Sequence, residues 1–435
     1  MRLLATLLVL AVGCGSPSRG DDTGGGEPDA CDGLECRRVN CAAKGLNPTS
    51  LSGTVFAPNG TLALYGATVY IPLGDTGAIT PGATCSRCEA NLPGGALVNV
   101  LSDPAGRFTL ENVPVGRNIP LVIQIGKWRR QVSIPEVLEC QDNTLPPTLT
   151  SLPKSKDEGD MPRIAMVTGG CDALECLIKK LGISPNEFTP STGTGRIHMY
   201  AANGANHLVN NEMFGTATSL WGDLNKLKQY DIVMNSCECS QDAASKTQAM
   251  MDNMKAYADV GGRLFLSHYH HVWIAGERGV PTHAPAVWPG IATCQVDSTG
   301  GSTAVIDQVN NPRGPAFATW MVNVMGSTTL GTLPVSESKQ SCTAVDLTKA
   351  ERWVYYKQGS TDIPQNFQFL TPNEAPKDDR CGKVVFSDMH VSSSGGSSSP
   401  STPFPMGCQN TPLSPQEKAL AFMFFDIASC VGQIF

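Results

Sequence analysis

Charged residues are scarce in this chain, and a tract of basic residues is missing altogether. Asp, Glu, Lys and Arg make up 16% of the 435 residues, against 41% hydrophobic residues, which indicates a globular fold and not a disordered acidic chain. The net charge of −7 argues against nucleic acid as a partner. The basic cluster Lys127–Arg130 is too short to change this conclusion. No hydrophobic run is long enough to cross a bilayer.

Cysteine, by contrast, is abundant. Sixteen cysteines predict an oxidising compartment outside the cytosol. The N-terminal cysteines lack the CxxC spacing of a zinc site and predict a small disulfide-pinned knot; they are Cys31, Cys36 and Cys41. Cys85 and Cys88 predict a structural disulfide, with Cys140 as an alternative partner. Lipidation of Cys14 would leave an odd number of cysteines, so at least one thiol is free, in a mixed disulfide or bound to a metal.

The N-terminus is typical of an export signal. Arg2 is followed by the short apolar run Leu3–Val12, and the signal segment closes with Ala11-Val12-Gly13-Cys14. This ending resembles a bacterial lipobox, which implies that residues 1–13 are removed and that Cys14 is acylated. Gly15 gives no inner-membrane retention signal, so the resemblance implies a lipid anchor in the cell envelope, at the outer membrane or cell surface. An ordinary cleaved signal is the alternative. Residues 14–50 then form a flexible tether and a cysteine-rich segment.

Residues 51–150 have the pattern of a small antiparallel β-sandwich. Short β-rich runs alternate with turns such as Pro-Asn-Gly and Asp-Pro-Ala-Gly. The segments SGTVFAPNG, GATVYI and DPAGRFTLENVPVG resemble the carboxypeptidase regulatory-like (transthyretin-like) domain. This resemblance implies a non-catalytic spacer or binding module.

The pattern of strands and helices over residues 161–435 predicts an α/β domain with a parallel sheet. The segment Ser151–Met161 links it to the sandwich. Apolar strands are predicted in RIAMVTGG, at Asp231–Asn235, at Arg263–Leu266 and at Lys383–Phe386, with helices between several of them. Each strand runs directly into polar or nucleophilic residues, and the carboxyl ends of parallel strands share the edge where ligands bind. The predicted ligand-binding residues at this edge are Gly169, Gly170, Ser267, His270 and Asp388.

The order of these strands resembles the class I glutamine amidotransferase-like (flavodoxin-like) fold, and its ThuA-like branch in particular. The resemblance covers about residues 161–430 and implies a ligand-binding domain, with a carbohydrate as the candidate ligand. True amidotransferases have a cysteine at the turn that here reads Ser267-His268. The late motif Asp388-Met389-His390 also has Ser392 where those enzymes have a glutamate. The amidotransferase reaction is therefore not expected.

Two classes of function remain. The favoured class is a non-catalytic, membrane-anchored binding protein with a degenerate amidotransferase-like domain. The rival is a metal-dependent or Cys/His hydrolase of the cell envelope, with Cys237, His268 and His390 as catalytic residues. If the strand continues past Ser267, His268 and His270 fall on one side of it and can bind a divalent transition metal together with His390 or Asp388.

Each of these expectations has a structural alternative. The histidines could close a loop by hydrogen bonds, and Cys237 and Cys239 could each be half of a disulfide. A single parallel sheet requires His268 and His390 to converge, with Cys237 in the same crevice.

Overall fold

The computed structural model describes residues 33–88, 92–277, 286–294, 297–391 and 395–431. The predicted signal peptide, lipidation site Cys14 and most of the tether lie outside these residues, as do Cys31 and Ser392. Among the helices within these ranges, none combines the length and the apolar character that a membrane crossing requires.

Two facing sheets form a β-sandwich in the first part of the chain. Their strands are β1 (Ser50–Thr54), β2 (Thr68–Pro72), β3 (Ala96–Leu101), β4 (Arg107–Glu111), β5 (Gly116–Ile125), β6 (Trp128–Val137) and β7 (Asp142–Thr144). The strand orders are β4-β1-β7 and β3-β2-β5-β6, and every pair is antiparallel except β1 with β7.

The Asp-Pro-Ala-Gly turn shows why the sequence folds this way. Asp103 Oδ1 accepts hydrogen bonds from the backbone N–H groups of Ala105 and Arg107. Gly106 adopts a φ of +74°, which favours glycine, and β4 starts at the next residue.

The second part of the chain contains one large sheet, with helices packed against it, and two separate two-stranded sheets. The strands are β8 (Ile164–Thr168), β9 (Phe188–Pro190), β10 (Ile197–Ala201), β11 (Gly215–Thr216), β12 (Ile232–Asn235), β13 (Arg263–Ser267), β14 (Ala292–Thr293), β15 (Ser298–Thr299), β16 (Thr303–Ile306), β17 (Thr332–Pro334), β18 (Lys339–Gln340), β19 (Ala344–Val345), β20 (Glu351–Gln358), β21 (Thr361–Thr371) and β22 (Gly382–Ser387). The helices of the chain are α1 (Pro147–Thr150), α2 (Leu174–Lys180), α3 (Ala217–Trp221), α4 (Leu224–Leu227), α5 (Gln248–Asp259), α6 (His271–Ala275), α7 (Gly314–Asn323) and α8 (Pro415–Ala428).

This large sheet is mixed, whereas the sequence predicted a parallel sheet. Its order is β11-β10-β8-β12-β13-β22-β21-β20-β16-β17, with β9 paired to β10. The strands from β11 to β22 in this order are parallel, whereas β21, β20, β16 and β17 add an antiparallel half. The four predicted strands are neighbours in the parallel half, and the predicted fold class of α/β plus all-β is confirmed.

The disulfides differ from the predicted local pairs. Cys85 pairs with Cys381 and Cys88 with Cys430, so the expected Cys85–Cys88 bond is wrong. The reason is that the loop runs beside the end of the chain: Cys88 N–H donates to Val431 O, and Val431 N–H donates to Ser86 O. Each cysteine therefore meets a different partner. Cys140 is also not an alternative partner for this loop, because it is bonded to Cys41, 99 residues away.

Three further disulfides lie within the α/β part: Cys171–Cys239, Cys176–Cys408 and Cys294–Cys342. Cys36 is also disulfide-bonded. A set of this size is typical of extracellular or periplasmic proteins.

Candidate functional site

The parallel half of the sheet brings the ends of β8, β12, β13 and β22 to one edge. Cys237 follows β12, His268 follows β13 and His390 follows β22. Because β12, β13 and β22 are consecutive neighbours in the sheet, the three side chains meet although they are far apart in sequence. His268 has a φ of +43°, which is uncommon for a residue with a side chain and marks a sharp turn directly after Ser267.

We call these three residues the Cys237–His268–His390 cluster. Cys237 Sγ lies 3.3 Å from His268 Nδ1, and the rings of His268 and His390 are 5.1 Å apart, edge to face. One ligand atom from each residue falls within 4.8 Å of the others. The expected convergence of the two histidines and Cys237 is therefore present in the structure.

The cluster is closed to solvent. Cys237, His268 and His390 are 0%, 3% and 4% exposed. Burial is the main cause that raises the pKa of the Cys237 thiol to about 12 and lowers the pKa of His390 to about 4. Without a bound cation, the thiol therefore keeps its proton and the His390 ring is neutral.

Two further observations single out this cluster. Cys237 is the one free cysteine among the residues that the structure describes. His390 Nε2 is buried and has no hydrogen-bond partner within the same part of the chain. Buried polar atoms normally have a partner, so this nitrogen is a candidate ligand atom.

The prediction that His270 belongs to the metal site is wrong. The strand ends at Ser267, and a 3₁₀ turn over His268–His270 replaces the alternation on which the prediction rested. His270 Nε2 donates to Ser236 O at 2.9 Å, and His270 Nδ1 accepts from Trp273 Nε1 at 2.9 Å. With both ring nitrogens engaged, His270 holds the end of β12 in place, and burial keeps its pKa well below the usual value.

Ser267 and Asp388 lie at the predicted edge but bond to protein groups. Ser267 Oγ donates to Asp172 Oδ2 at 2.5 Å, and Asp172 Oδ1 also accepts from the N–H of Val391 at 2.8 Å. Sequence reasoning missed Asp172, because it lies four residues past the end of β8 in a turn with no distinctive motif. The Asp388 carboxylate accepts from Ser341 Oγ at 2.7 Å and Ser341 N–H at 2.9 Å.

Close packing explains Gly169, whereas the backbone N–H of Gly170 is engaged by a neighbouring side chain. A Cβ at Gly169 would lie 2.2 Å from Cys237 O, so only glycine fits where this turn passes under β12. The Gly170 N–H donates to Asn203 Oδ1 at 2.8 Å, and the Cys171 N–H donates to Cys237 O at 3.1 Å. Both of these backbone donors are therefore engaged within the protein and are not available to a ligand.

The donor set of the cluster has a clear chemical preference. One thiolate and two imidazoles are ligands for zinc or copper, whereas calcium and magnesium take oxygen ligands. Three protein ligands also leave a fourth position on a tetrahedral ion.

Comparisons with known proteins give little further information. No family model matches this chain, and no curated protein is similar to it. Among solved structures, a ThuA-like protein from Bacteroides uniformis is 12% identical, with a TM-score of 0.33 over 60% of this chain and 90% of that one. A cytoplasmic protein from Salmonella typhimurium is 12% identical, with a TM-score of 0.32 over 61% of this chain and 98% of that one. The chain therefore has a ThuA-like protein among its structural neighbours, but similarity at this level carries no argument about family or activity.

Proposed function

We propose that the α/β part of this chain binds a transition metal ion of the zinc or copper class through Cys237, His268 and His390. The observation that carries the proposal is a reduced thiol held against two imidazoles. The other described cysteines of the chain are all in disulfides. A thiol that stays reduced beside two ring nitrogens is better explained by a ligand role than by packing.

Metal binding would also give partners to the buried thiol and to the buried ring nitrogen of the cluster. Cys237 would hold the cation as a thiolate, the form in which cysteine is a ligand, with the thiol proton released to solvent. The buried His390 Nε2 becomes engaged, and the neutral state of His390 is the one that ligates.

A Cys/His hydrolase with Cys237 as nucleophile is the second candidate, and the 3.3 Å contact between Cys237 Sγ and His268 Nδ1 favours it. Full burial and the raised pKa of the thiol speak against it, because the thiolate is the nucleophile and must reach a substrate. The carbohydrate ligand implied by the ThuA-like resemblance is a separate proposal for the α/β part and is not assigned to the metal cluster, which is closed to solvent.

The deciding experiment is metal analysis of the purified protein after loading with zinc or cobalt. The wild type should hold roughly one ion per chain, and Cys237→Ser and the pair Cys237→Ser/His390→Gln should lose it. His207→Gln is the matched control, since His207 bonds to Asn206 and is not in the cluster. A wild type that binds no ion contradicts the proposal. Hydrolysis that persists without metal and stops on thiol alkylation would favour the second candidate.

We further propose that the chain is lipid-anchored at Cys14 in the cell envelope, with the β-sandwich as a spacer. The support is the apolar run before Ala11-Val12-Gly13-Cys14 together with the disulfide content. Globomycin, which blocks lipoprotein signal cleavage, should cause the precursor to accumulate, and the mature N-terminus should be an acylated Cys14 by mass spectrometry. A mature, unlipidated chain that starts elsewhere contradicts this proposal.

A further inference from the structure

Asp297 lies on the side of the His268 ring opposite to Cys237. Asp297 Oδ1 is 3.8 Å from His268 Nε2, while His268 Nδ1 is 3.3 Å from Cys237 Sγ. The hydroxyl of Tyr269 donates to the second oxygen of the same carboxylate. The imidazole of His268 is therefore placed between a thiol and a carboxylate, each facing one ring nitrogen.

We propose that Asp297 is a positioning residue that fixes the tautomer of His268. A neutral imidazole carries one N–H, and a carboxylate can only accept a hydrogen bond. At 3.8 Å the carboxylate of Asp297 is beyond direct hydrogen-bond distance, so it acts through its negative charge: it favours the tautomer with the proton on Nε2 and leaves the lone pair of Nδ1 facing Cys237. Histidine ligands commonly donate their second N–H to a carboxylate, which sets ring orientation and strengthens the metal bond. The consequence for metal affinity rests on the proposed function, whereas the tautomer itself does not.

The surroundings hold Asp297 in this position. Asp297 directly precedes β15, and β15 pairs with β18. The N–H of Lys339 in β18 donates to Asp388 O at 2.7 Å. Asp388 is the first residue after β22, two residues before His390, and its carboxylate also binds Ser341. We call these contacts, from β15 through β18 to Asp388, the frame of Asp297. The frame thus starts from the same strand end that carries His390.

A disulfide completes this frame. Cys342, next to Ser341, is bonded to Cys294, three residues before Asp297. The role of Asp388, predicted as a ligand-binding residue, is in this proposal to anchor the frame through its hydrogen bonds to Ser341.

The alternative is that Asp297 serves only as the partner of the Tyr269 hydroxyl. The side chain of Asp297 is 36% exposed, so a surface role is reasonable on burial alone. Tyr269→Phe separates the two roles, because it removes the hydroxyl and leaves the carboxylate beside His268.

The first test is NMR of metal-free protein labelled with ¹⁵N in its histidine rings. The wild type and Tyr269→Phe should show His268 protonated on Nε2. Asp297→Ala should shift His268 to a mixture or to the other tautomer, and Asp297→Glu should restore the wild-type form. A wild-type His268 protonated on Nδ1, or an unchanged tautomer in Asp297→Ala, overturns the proposal.

The second test is cobalt or zinc affinity with the same four proteins. Asp297→Ala should weaken binding by roughly 10–100-fold, as is usual when the carboxylate partner of a histidine ligand is removed, with Asp297→Glu recovering part of the loss. Affinity within twofold of the wild type overturns the inference alone. If the wild type binds no metal, the proposed function fails, and the tautomer measurement still decides the role of Asp297.

Discussion

Asp172 is a buried carboxyl group at the same sheet edge as the cluster, and its environment makes stability depend on pH. Burial is the main cause that raises its pKa to about 7, while the hydrogen bonds from Ser267 and the Val391 N–H oppose the shift. The folded-state pKa is thus above that of an unfolded aspartate, near 4. Such a group stabilises the fold most when both states are protonated, and this contribution is lost as pH rises towards 7.

Asp172→Asn should therefore change the pH profile of unfolding. Asparagine does not titrate, so the free energy of unfolding of the wild type minus that of the variant should fall by about 1.4 kcal/mol per pH unit between pH 4 and 7. Urea denaturation of both proteins at pH 5 and pH 7 measures this difference. Glu175, also buried with its pKa raised to about 7, is present in both proteins and largely cancels. Parallel profiles would contradict the raised pKa of Asp172.

A site residue could be predicted from the sequence where sheet topology sets its position, and not where a local turn or a distant disulfide does. His268 directly follows β13, while Cys237 and His390 lie two and three residues after the ends of β12 and β22. Sheet topology alone brings such residues together. The prediction for His270 was wrong because a three-residue 3₁₀ turn over His268–His270 replaces the strand alternation, and periodicity does not show where a strand stops. Asp297 reaches His268 through a loop fixed by Cys294–Cys342, a pairing that the sequence does not encode locally.

Among the elements, α8 has the clearest sequence signal and a central position. Ser414 Oγ accepts from the N–H of Glu417 at 3.2 Å, and the Ser414 N–H donates to Glu417 Oε2 at 2.8 Å; together these two bonds form a capping box. Glu417 also forms an ion pair of 2.8 Å with Lys180 of α2, and the two side chains are 0% and 6% exposed. The start of α8 is thus tied both to its own backbone and to the helix after β8.

The two contacts at this helix start should differ in their effect on stability. Ser414→Ala removes a cap and should lower the free energy of unfolding by about 1 kcal/mol. Lys180→Met leaves the Glu417 carboxylate buried without its cation and should lower it by about 3 kcal/mol or more. Adding Glu417→Gln to Lys180→Met should recover part of that loss in chemical denaturation. A Lys180→Met variant that is more stable than Ser414→Ala would contradict a buried ion pair.

The strands of the antiparallel half were harder to predict than those of the parallel half. β8, β12, β13 and β22 are continuous buried runs, which is what a strand covered on both faces requires. Residues 292–377 contain several two-residue strands, and the pairing of β20 with β21 shifts register at Arg352 and Val354. Short strands and irregular pairing give no sustained alternation, so their order depends on tertiary contacts.

At the scale of the whole molecule, the sandwich and the α/β part share one buried interface. Trp128 of β6 packs edge to face on Phe424 and Phe425 of α8, at 6.2 and 6.3 Å between ring centroids. Lys127 forms an ion pair of 2.5 Å with Asp231, just before β12. The disulfides Cys85–Cys381 and Cys88–Cys430 cross the same interface. Covalent and apolar contacts therefore both join the two parts.

Removing only the covalent contacts separates these two contributions. A variant with all four cysteines of this interface changed to alanine (Cys85, Cys88, Cys381 and Cys430) should lose roughly 5–10 °C in Tm, because two long loops are no longer closed in the unfolded chain. It should still unfold in one calorimetric transition, since the aromatic contacts of Trp128 keep the two parts cooperative. The control is Cys294→Ala/Cys342→Ala, which opens a disulfide spanning 48 residues inside the α/β part. Two resolved transitions in the four-alanine variant alone would show that the disulfides, and not the packed interface, make this chain unfold as one unit.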